Sequence, residues 1–349
     1  ELWSQVDKNL PSARMGVGFI NLERAVPFAA KIPFVVNALG RDFSILAPLT
    51  QIFPATGFTL SAEGDEIVME SFTMTRRSDG TTTFDLEEYE GALTKNFPAA
   101  PLAFFGGENF TAQFDQFTQL FTTVHPAGAK IVEGMVRAQI EQLFGSSDLL
   151  ESEIEPLFEN EYGIGFFAGE NGMNFVLQLT GESDAILAEH TNVLKKNFVE
   201  SGAVWQPVIT EITLPDGTVG REIQEQQAPI IEEEITVNGT TVQSLSFGKT
   251  TLFYTVRDAI LIVANSQDLI EQILTDKNDT ALASTLQPYV DASQEVTYVD
   301  LVQFFATLTE EETTKQFLKP YLAPFETMVM TKSLMNTGAF SVAHLMKAE

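Results

Sequence analysis

The chain has 349 residues, 44% of them hydrophobic and 19% charged, a globular composition rather than a disordered one. With 20 Lys and Arg against 48 Asp and Glu it carries a net charge of −28, which excludes nucleic acid as a partner and disfavours anionic lipid surfaces. It contains no Cys, so disulfides, thiol catalysis, Cys-based zinc sites and a lipid-modified Cys within these residues are all ruled out.

Taken in chain order, the first predicted strand is Met15 to Ile20, after Leu10-Pro11. Asn21 follows as a helix N-cap, because its side-chain oxygen can accept a free backbone N–H. A Phe- and Pro-punctuated helical region covers Ala25 to Ile52, and Phe53 to Arg77 reads as strand, tight turn at Glu63-Gly64-Asp65, and strand.

The same order returns after Phe97-Pro98. A strand at Leu102 to Phe105 leads to Asn109 as cap, then helices at Thr111 to Thr123 and Ala127 to Phe144. In the second helix Ile131, Met135, Ala138 and Gln142 share one face. A short helix at Ser152 to Phe158 precedes a second strand–turn–strand, Phe158 to Glu182, with its turn at Asn171-Gly172. Gly57 and Gly163 hold matching places in the two hairpins.

A different block follows. A helix is expected from Ser183 to Val199, with Ser183 or Asp184 near its cap, and hairpin strands occupy 204–214, 220–224, 231–237, 241–247, 250–256 and 259–263, with turns that include Asn238-Gly239 and Arg257-Asp258. Ser266 caps a helix from Gln267 to Leu274. A third version of the opening pattern then begins: strand Val296 to Val299, cap Asp300, helix to Thr307 and a helix from Glu310 to about Met330. A single strand from Asn336, with Gly338 in the matching place, leaves this version without its return strand.

The expected fold is therefore α+β, with antiparallel sheets packed against helices and built from duplicated strand–helix–hairpin modules. The boundaries fall at 1–92, 93–200, 201–288 (the hairpin block and its helix) and 289–349, the last module being incomplete.

Readable catalytic chemistry is absent. His125, His190 and His344 lie far apart and none has a metal-ligand spacing. Gly163 to Gly169 resembles a dinucleotide loop but precedes a hairpin rather than a helix. The runs Glu87-Glu88-Tyr89-Glu90 and Glu232-Glu233-Glu234 lack the spacing of a cation loop and read as solvated surface. A carboxylate pair for glycoside hydrolysis, distant in sequence, is the remaining enzymatic option. Sequons occur at Asn109, Asn238 and Asn278; two of them coincide with the cap and turn assignments, and backbone chemistry explains these residues without glycans.

Phe is the compositional oddity, 28 against 6 Tyr and 2 Trp. It reads first as core. The segment Lys31 to Phe53 is more apolar than a surface helix needs, and an apolar ligand surface would draw on Phe34, Phe43, Ile45, Leu49, Phe53, Phe117 and Phe121.

Three stretches carry a resemblance: the Leu-Pro and Phe-Pro starts (Leu10-Pro11, Phe97-Pro98), Tyr162 to Leu179, and Leu252 to Leu274. In these the chain resembles an uncharacterised bacterial family of extracytoplasmic proteins of unknown function. The resemblance implies an N-terminal membrane anchor and assigns no catalytic residues. The chain opens on Glu1, so any anchor is expected upstream of it, with membrane attachment through that segment alone.

The functional expectation is a non-enzymatic binding or scaffolding protein of the bacterial envelope, in the periplasm or at the cell surface, with no cofactor or metal. Its partner would be an envelope protein. The alternative is a carrier of a lipid or other apolar ligand in a Phe-rich cavity.

Overall fold

The structure, a computed structural model, describes residues 2–29, 50–76, 87–98, 101–124, 126–169, 172–202, 204–213, 218–275, 281–290, 293–307, 324–335 and 337–347. In chain order the elements are α1 (Leu2–Asp7), β1 (Gly16–Asn21), α2 (Leu22–Ala29), β2 (Ala55–Glu63), β3 (Glu66–Met74), β4 (Ala103–Glu108), α3 (Phe110–Val124), α4 (Pro126–Phe144), β5 (Glu161–Gly169) and β6 (Gly172–Thr180). There follow α5 (Asp184–Ser201), β7 (Trp205–Thr213), β8 (Val219–Gln227), β9 (Ile230–Val237), β10 (Thr240–Phe247), β11 (Thr250–Arg257), β12 (Ile260–Ala264), α6 (Gln267–Thr275), α7 (Ala281–Val290), β13 (Glu295–Asp300), α8 (Leu301–Thr307), β14 (Phe325–Met335) and β15 (Gly338–Lys347). A 3-10 turn at Ala92–Asn96 precedes β4. The fold is α+β, and the recorded strand pairs are antiparallel.

Two compact units form. The first comprises Glu1–Val132, Phe158–Asn174 and Lys277–Glu349; the second comprises Glu133–Leu157 and Phe175–Asp276. In the first unit the strand order is β1-β2-β3-β15-β14-β13-β4-β5. Register assigns each residue to a face, because side chains alternate and directly opposed residues point the same way. One row crosses Val68, His344, Val329, Tyr298, Phe104 and Gly165. Val68, Val329 and Phe104 are all buried, so this is the packed, inner face.

Covering segments are short and depend on close approach. A Cβ on Gly57 would stand 2.4 Å from Val6 and 3.0 Å from Leu10, which pack with Ala55 and Phe72. Phe97 lies edge-on to Phe104, ring centroids 4.8 Å apart, over Gly163 and Gly165. α7 presents Leu282, Leu286 and Val290, spaced at four residues and all buried. Its Tyr289 sits 4.5 Å from the His344 ring.

Three times a strand passes through an Asn or Asp into a helix. Asn21 Oδ1 accepts from Arg24 N (3.1 Å), Asn109 Oδ1 from Ala112 N (2.9 Å) and Asp300 Oδ1 from Gln303 N (2.8 Å). Each strand then pairs with the first strand of the hairpin that follows: β1 with β2, β4 with β5, and β13 with β14.

The expectation for the last hairpin is corrected. Residues 325–335 are a strand rather than the end of a helix running to Met330, and they pair with β15 along its length. Gly338 opens the return strand, so the third hairpin is complete. The Met-rich run Met328-Val329-Met330 satisfies helical and strand patterns alike, and only the ladder with β15 decides between them.

The second unit orders its strands β6-β12-β11-β10-β9, from Phe175 onward, with a separate β7–β8 pair. Helices α5 and α6 pack on β11 and β12, burying Leu187, Leu269 and Ile270. Ser183 caps α5 by accepting from Ile186 N, and Gly202 closes it in the left-handed region at φ 58°. The β11–β12 turn falls at Asp258-Ala259, one residue later than the sequence pattern gives. Both residues have positive φ, 56° and 57°, the geometry of a tight hairpin turn. Asp184 Oδ1 accepts from Ala259 N (2.6 Å), which holds an alanine in a conformation that costs it energy.

Two stability changes follow. Phe104→Ala lowers unfolding free energy by about 3–5 kcal/mol in denaturant titration, because the ring is fully buried. Ala259→Gly raises it by about 0.5–1 kcal/mol, since relief of the left-handed strain outweighs the added freedom of the unfolded chain.

Candidate functional site

The outer face of the first unit's sheet has a different character. The row Leu60, Met69, Ala343, Met330, Thr297, Phe105, Ile164 crosses β2, β3, β15, β14, β13, β4 and β5 in direct register. All but Thr297 are apolar. Met69, Met330 and Phe105 are each 37–41% exposed. The salt bridge from Lys332 Nζ to Glu295 Oε1 (2.9 Å) lies on the same face one register step away from Thr297.

Helix α3 adds to this apolar character within the same unit. Its Phe residues at 110, 114, 117 and 121 follow helical spacing. Phe110 and Phe114 stack at 6.3 Å and Phe117 and Phe121 at 6.2 Å. Phe110 also meets Phe158 and Tyr162, at 5.9 and 5.7 Å. Phe121 is buried with Ile52, Ala129 and Phe53, whereas Phe110 and Phe117 remain 47% and 43% exposed. Along α4, Ile131 (62%) and Met135 (65%) are exposed, so the shared face of that helix turns to solvent.

Of the seven residues picked for an apolar ligand surface, Phe53, Phe117 and Phe121 are thereby brought together. Phe34, Phe43, Ile45 and Leu49 lie outside the described residues. The outer sheet row was not singled out in the sequence. Its signal is the apolar residue at every second position of several strands, which becomes a row only once register is known.

A second cluster lies on the inner face at the end of the β4–β5 pair. Glu108 and Glu161 are directly opposed. Glu161 is 6% exposed, and its Oε1 accepts from Leu93 N at 2.9 Å. Tyr89, from the segment before the 3-10 turn, lies over Gly106, where a Cβ would stand 2.5 Å from its hydroxyl oxygen. That hydroxyl is buried beside Glu161 with no hydrogen bond of ordinary geometry, and burial pushes it well above its usual range. Burial first, then the repulsion of Glu161, Glu87 and Glu90, lifts Glu108 to about 7. Burial likewise lifts Glu161 to about 7 against the opposing pull of the Leu93 amide.

Of the run 87–90, then, Glu87, Glu88 and Glu90 are exposed as expected, but Tyr89 is buried. A glycosidase would need both carboxyls on an open cleft, and Glu161 is closed off by Leu93 and Tyr89.

His190 Nδ1 lies 2.9 Å from Glu153 Oε2, and His344 Nδ1 lies 2.9 Å from Glu66 Oε2. His125 falls outside the description. Among the described residues no three His, Asp or Glu side chains stand close enough to share a metal ion, and no helix is long and apolar enough to cross a membrane.

No family model matches the chain, and no curated protein is similar to it. Among solved structures it is similar to crystal form III of TP0453, at 9% identity and TM-score 0.36, over 73% of this chain and 80% of that one. Crystal form IV of TP0453 gives 7% identity and TM-score 0.32, over 71% and 76%.

The raised carboxyls set a pH dependence of definite sign. Below about pH 4.5 the Glu161 carboxyl is protonated in both the folded and the unfolded chain. Between about 4.5 and 7 the unfolded chain releases its proton and the folded one keeps it, so stability falls as pH rises. Glu161→Gln removes that loss. Urea midpoints should coincide for variant and parent at pH 4, and the variant should be more stable by about 3 kcal/mol at pH 8.

Proposed function

We propose that this chain is a non-enzymatic binding or scaffolding protein of the bacterial envelope, acting outside the cytoplasm, and that its outer sheet row is the surface that meets an envelope protein. One observation carries the reading. The inner row of the same sheet is packed, while the outer row stays apolar and partly open at Met69, Met330 and Phe105. Exposed apolar surface costs free energy in water, and Met69, Met330 and Phe105 present it in one row, on either side of the buried Ala343 and of Thr297. Methionine suits such a surface because its unbranched, polarisable side chain adapts to a partner. The Cys-free composition and the family resemblance support the extracytoplasmic setting. The strongly acidic remainder favours a partner whose flanking surface is neutral or basic.

A second reading, carriage of a lipid or other apolar ligand, rests on the meeting of Phe53, Phe117 and Phe121 beside the exposed Phe110.

Photo-crosslinking in the native host, with the probe at Met330 or at inner-face Val329, separates these readings when paired with native mass spectrometry. A discrete protein adduct from position 330 alone, lost in the Met69→Lys, Phe105→Lys variant, supports the partner reading. A bound apolar species removed by organic extraction, without such an adduct, transfers support to carriage. A bare mass with no adduct overturns both.

A further inference from the structure

Strand β1 ends the strand order of the first unit's sheet. It pairs with β2, and among the described residues no strand pairs with its other side. The ladder fixes which backbone groups face that free side. Asn21 stands opposite Ala55, and one step further Leu22 N donates to Pro54 O at 2.9 Å. Hydrogen bonding alternates along an antiparallel strand, so Gly16, Gly18 and Ile20 bond to β2. Val17 and Phe19 turn their N–H and C=O groups to the free side, where such groups form a template for another strand.

Open edges are commonly blunted by charge or proline, and β1 has neither in Gly16–Asn21. The last strand of the second unit, β9, carries Glu232, Glu233 and Glu234, all exposed. The side chains of β1 also suit a neighbour. Val17 and Ile20, on opposite faces, are 49% and 42% exposed. Phe19 meets the partly exposed Trp3 edge-on at 5.4 Å, so one face of an added strand would rest on Val17, Phe19 and Trp3.

Charge selects the occupant. The whole chain carries −28, yet residues 2–29 hold Lys8, Arg14 and Arg24 against Asp7 and Glu23. Arg14 lies just before β1 and Arg24 in the first turn of α2, just after it. Arg14 is shared with Asp7 at 2.6 Å, whereas Arg24 is exposed and pairs with no carboxylate among the described residues. Two-fold pairing of β1 with a second copy would set Arg14 of each chain towards Arg24 of the other, which is repulsive. A strand with acidic ends meets opposite charge at both.

We propose that β1 is a strand-addition site, taking an extended segment of a partner protein that is apolar at alternate positions and carries carboxylates at its ends. The Val17 and Phe19 backbone would hold that segment, and Arg14 and Arg24 would set its charge preference. The site goes beyond the outer sheet row and does not rest on that row being a contact surface.

The probe is a fluorescein-labelled peptide of alternating threonine and valine, matched to the six residues of β1 and closed by aspartates at each end. A counterpart carries lysines instead. Anisotropy with the full chain should show the aspartate peptide bound about tenfold or more tightly than the lysine one, and Arg24→Glu should cut that preference by about tenfold. Val17→Pro removes an outward N–H and leaves the β2 ladder intact, so it should abolish binding with far-UV circular dichroism unchanged. Amide exchange by NMR reads the parent backbone directly. Saturating aspartate peptide should slow Val17 and Phe19 by about tenfold or more and leave Gly18 and Ile20 unchanged. Absence of aspartate-peptide binding overturns the site, as does binding that survives in a folded Val17→Pro variant. Val17 and Phe19 amides as protected as Ile20 in the chain alone also overturn it, because the edge would then already be covered.

Discussion

The first unit depends on how closely its covering segments approach the inner face of the sheet. A sheet face is buried only where something lies flat on it, and here the covers are a helical turn or two, a 3-10 turn and a ten-residue helix. Such short pieces cannot bridge a gap with long side chains. They succeed because Gly57 admits Val6 and Leu10, and because Gly163 and Gly165 admit Phe97. Dispersion contacts fall off within an ångström of separation, so these absent Cβ atoms set how much burial the covers supply.

That close approach also explains the chemistry at the β4–β5 end. The segment that lays Phe97 and Tyr89 on the glycines must pass over Glu161, the first residue of β5. A backbone amide meets the carboxyl there, and water is shut out. The shifted carboxyls are thus a consequence of packing rather than of a constructed cleft. The pair sits at the end of the ladder, where Glu161 is buried and Glu108 is half-buried.

The outer face obeys a different balance. Among the described residues the row from Leu60 to Ile164 carries no charge, and the Lys332–Glu295 pair lies beside it, whereas Glu232, Glu233 and Glu234 along β9 are all exposed. Charge on an edge strand discourages pairing with other chains. Its absence from Met69, Met330 and Phe105 leaves that face suited to contact, in a protein whose surface is otherwise strongly acidic.

Local chemistry made much of this legible. Asn21, Asn109 and Asp300 could be read as caps because a capping side chain needs only the backbone three residues on. The β2–β3 and β9–β10 turns were legible from Gly64 and Asn238-Gly239, whose positive φ is a property of the turn itself. Phe53, Phe117 and Phe121 stood out as apolar excess. Other features required partners remote in sequence. Residues 325–335 read as helix until β15 supplied a ladder, and α7 was passed over although Leu282, Leu286 and Val290 keep helical spacing. The opposition of Glu108 and Glu161, 53 positions apart, follows from the β4–β5 register alone. By itself, then, the sequence determined the α+β class, the capped strand-to-helix passages and the tight turns, because these rest on interactions a few residues long. Tertiary structure decided which face of the sheet is packed, which is open, and which two carboxyls stand opposite each other, because burial and repulsion depend on distances that only the assembled strands define.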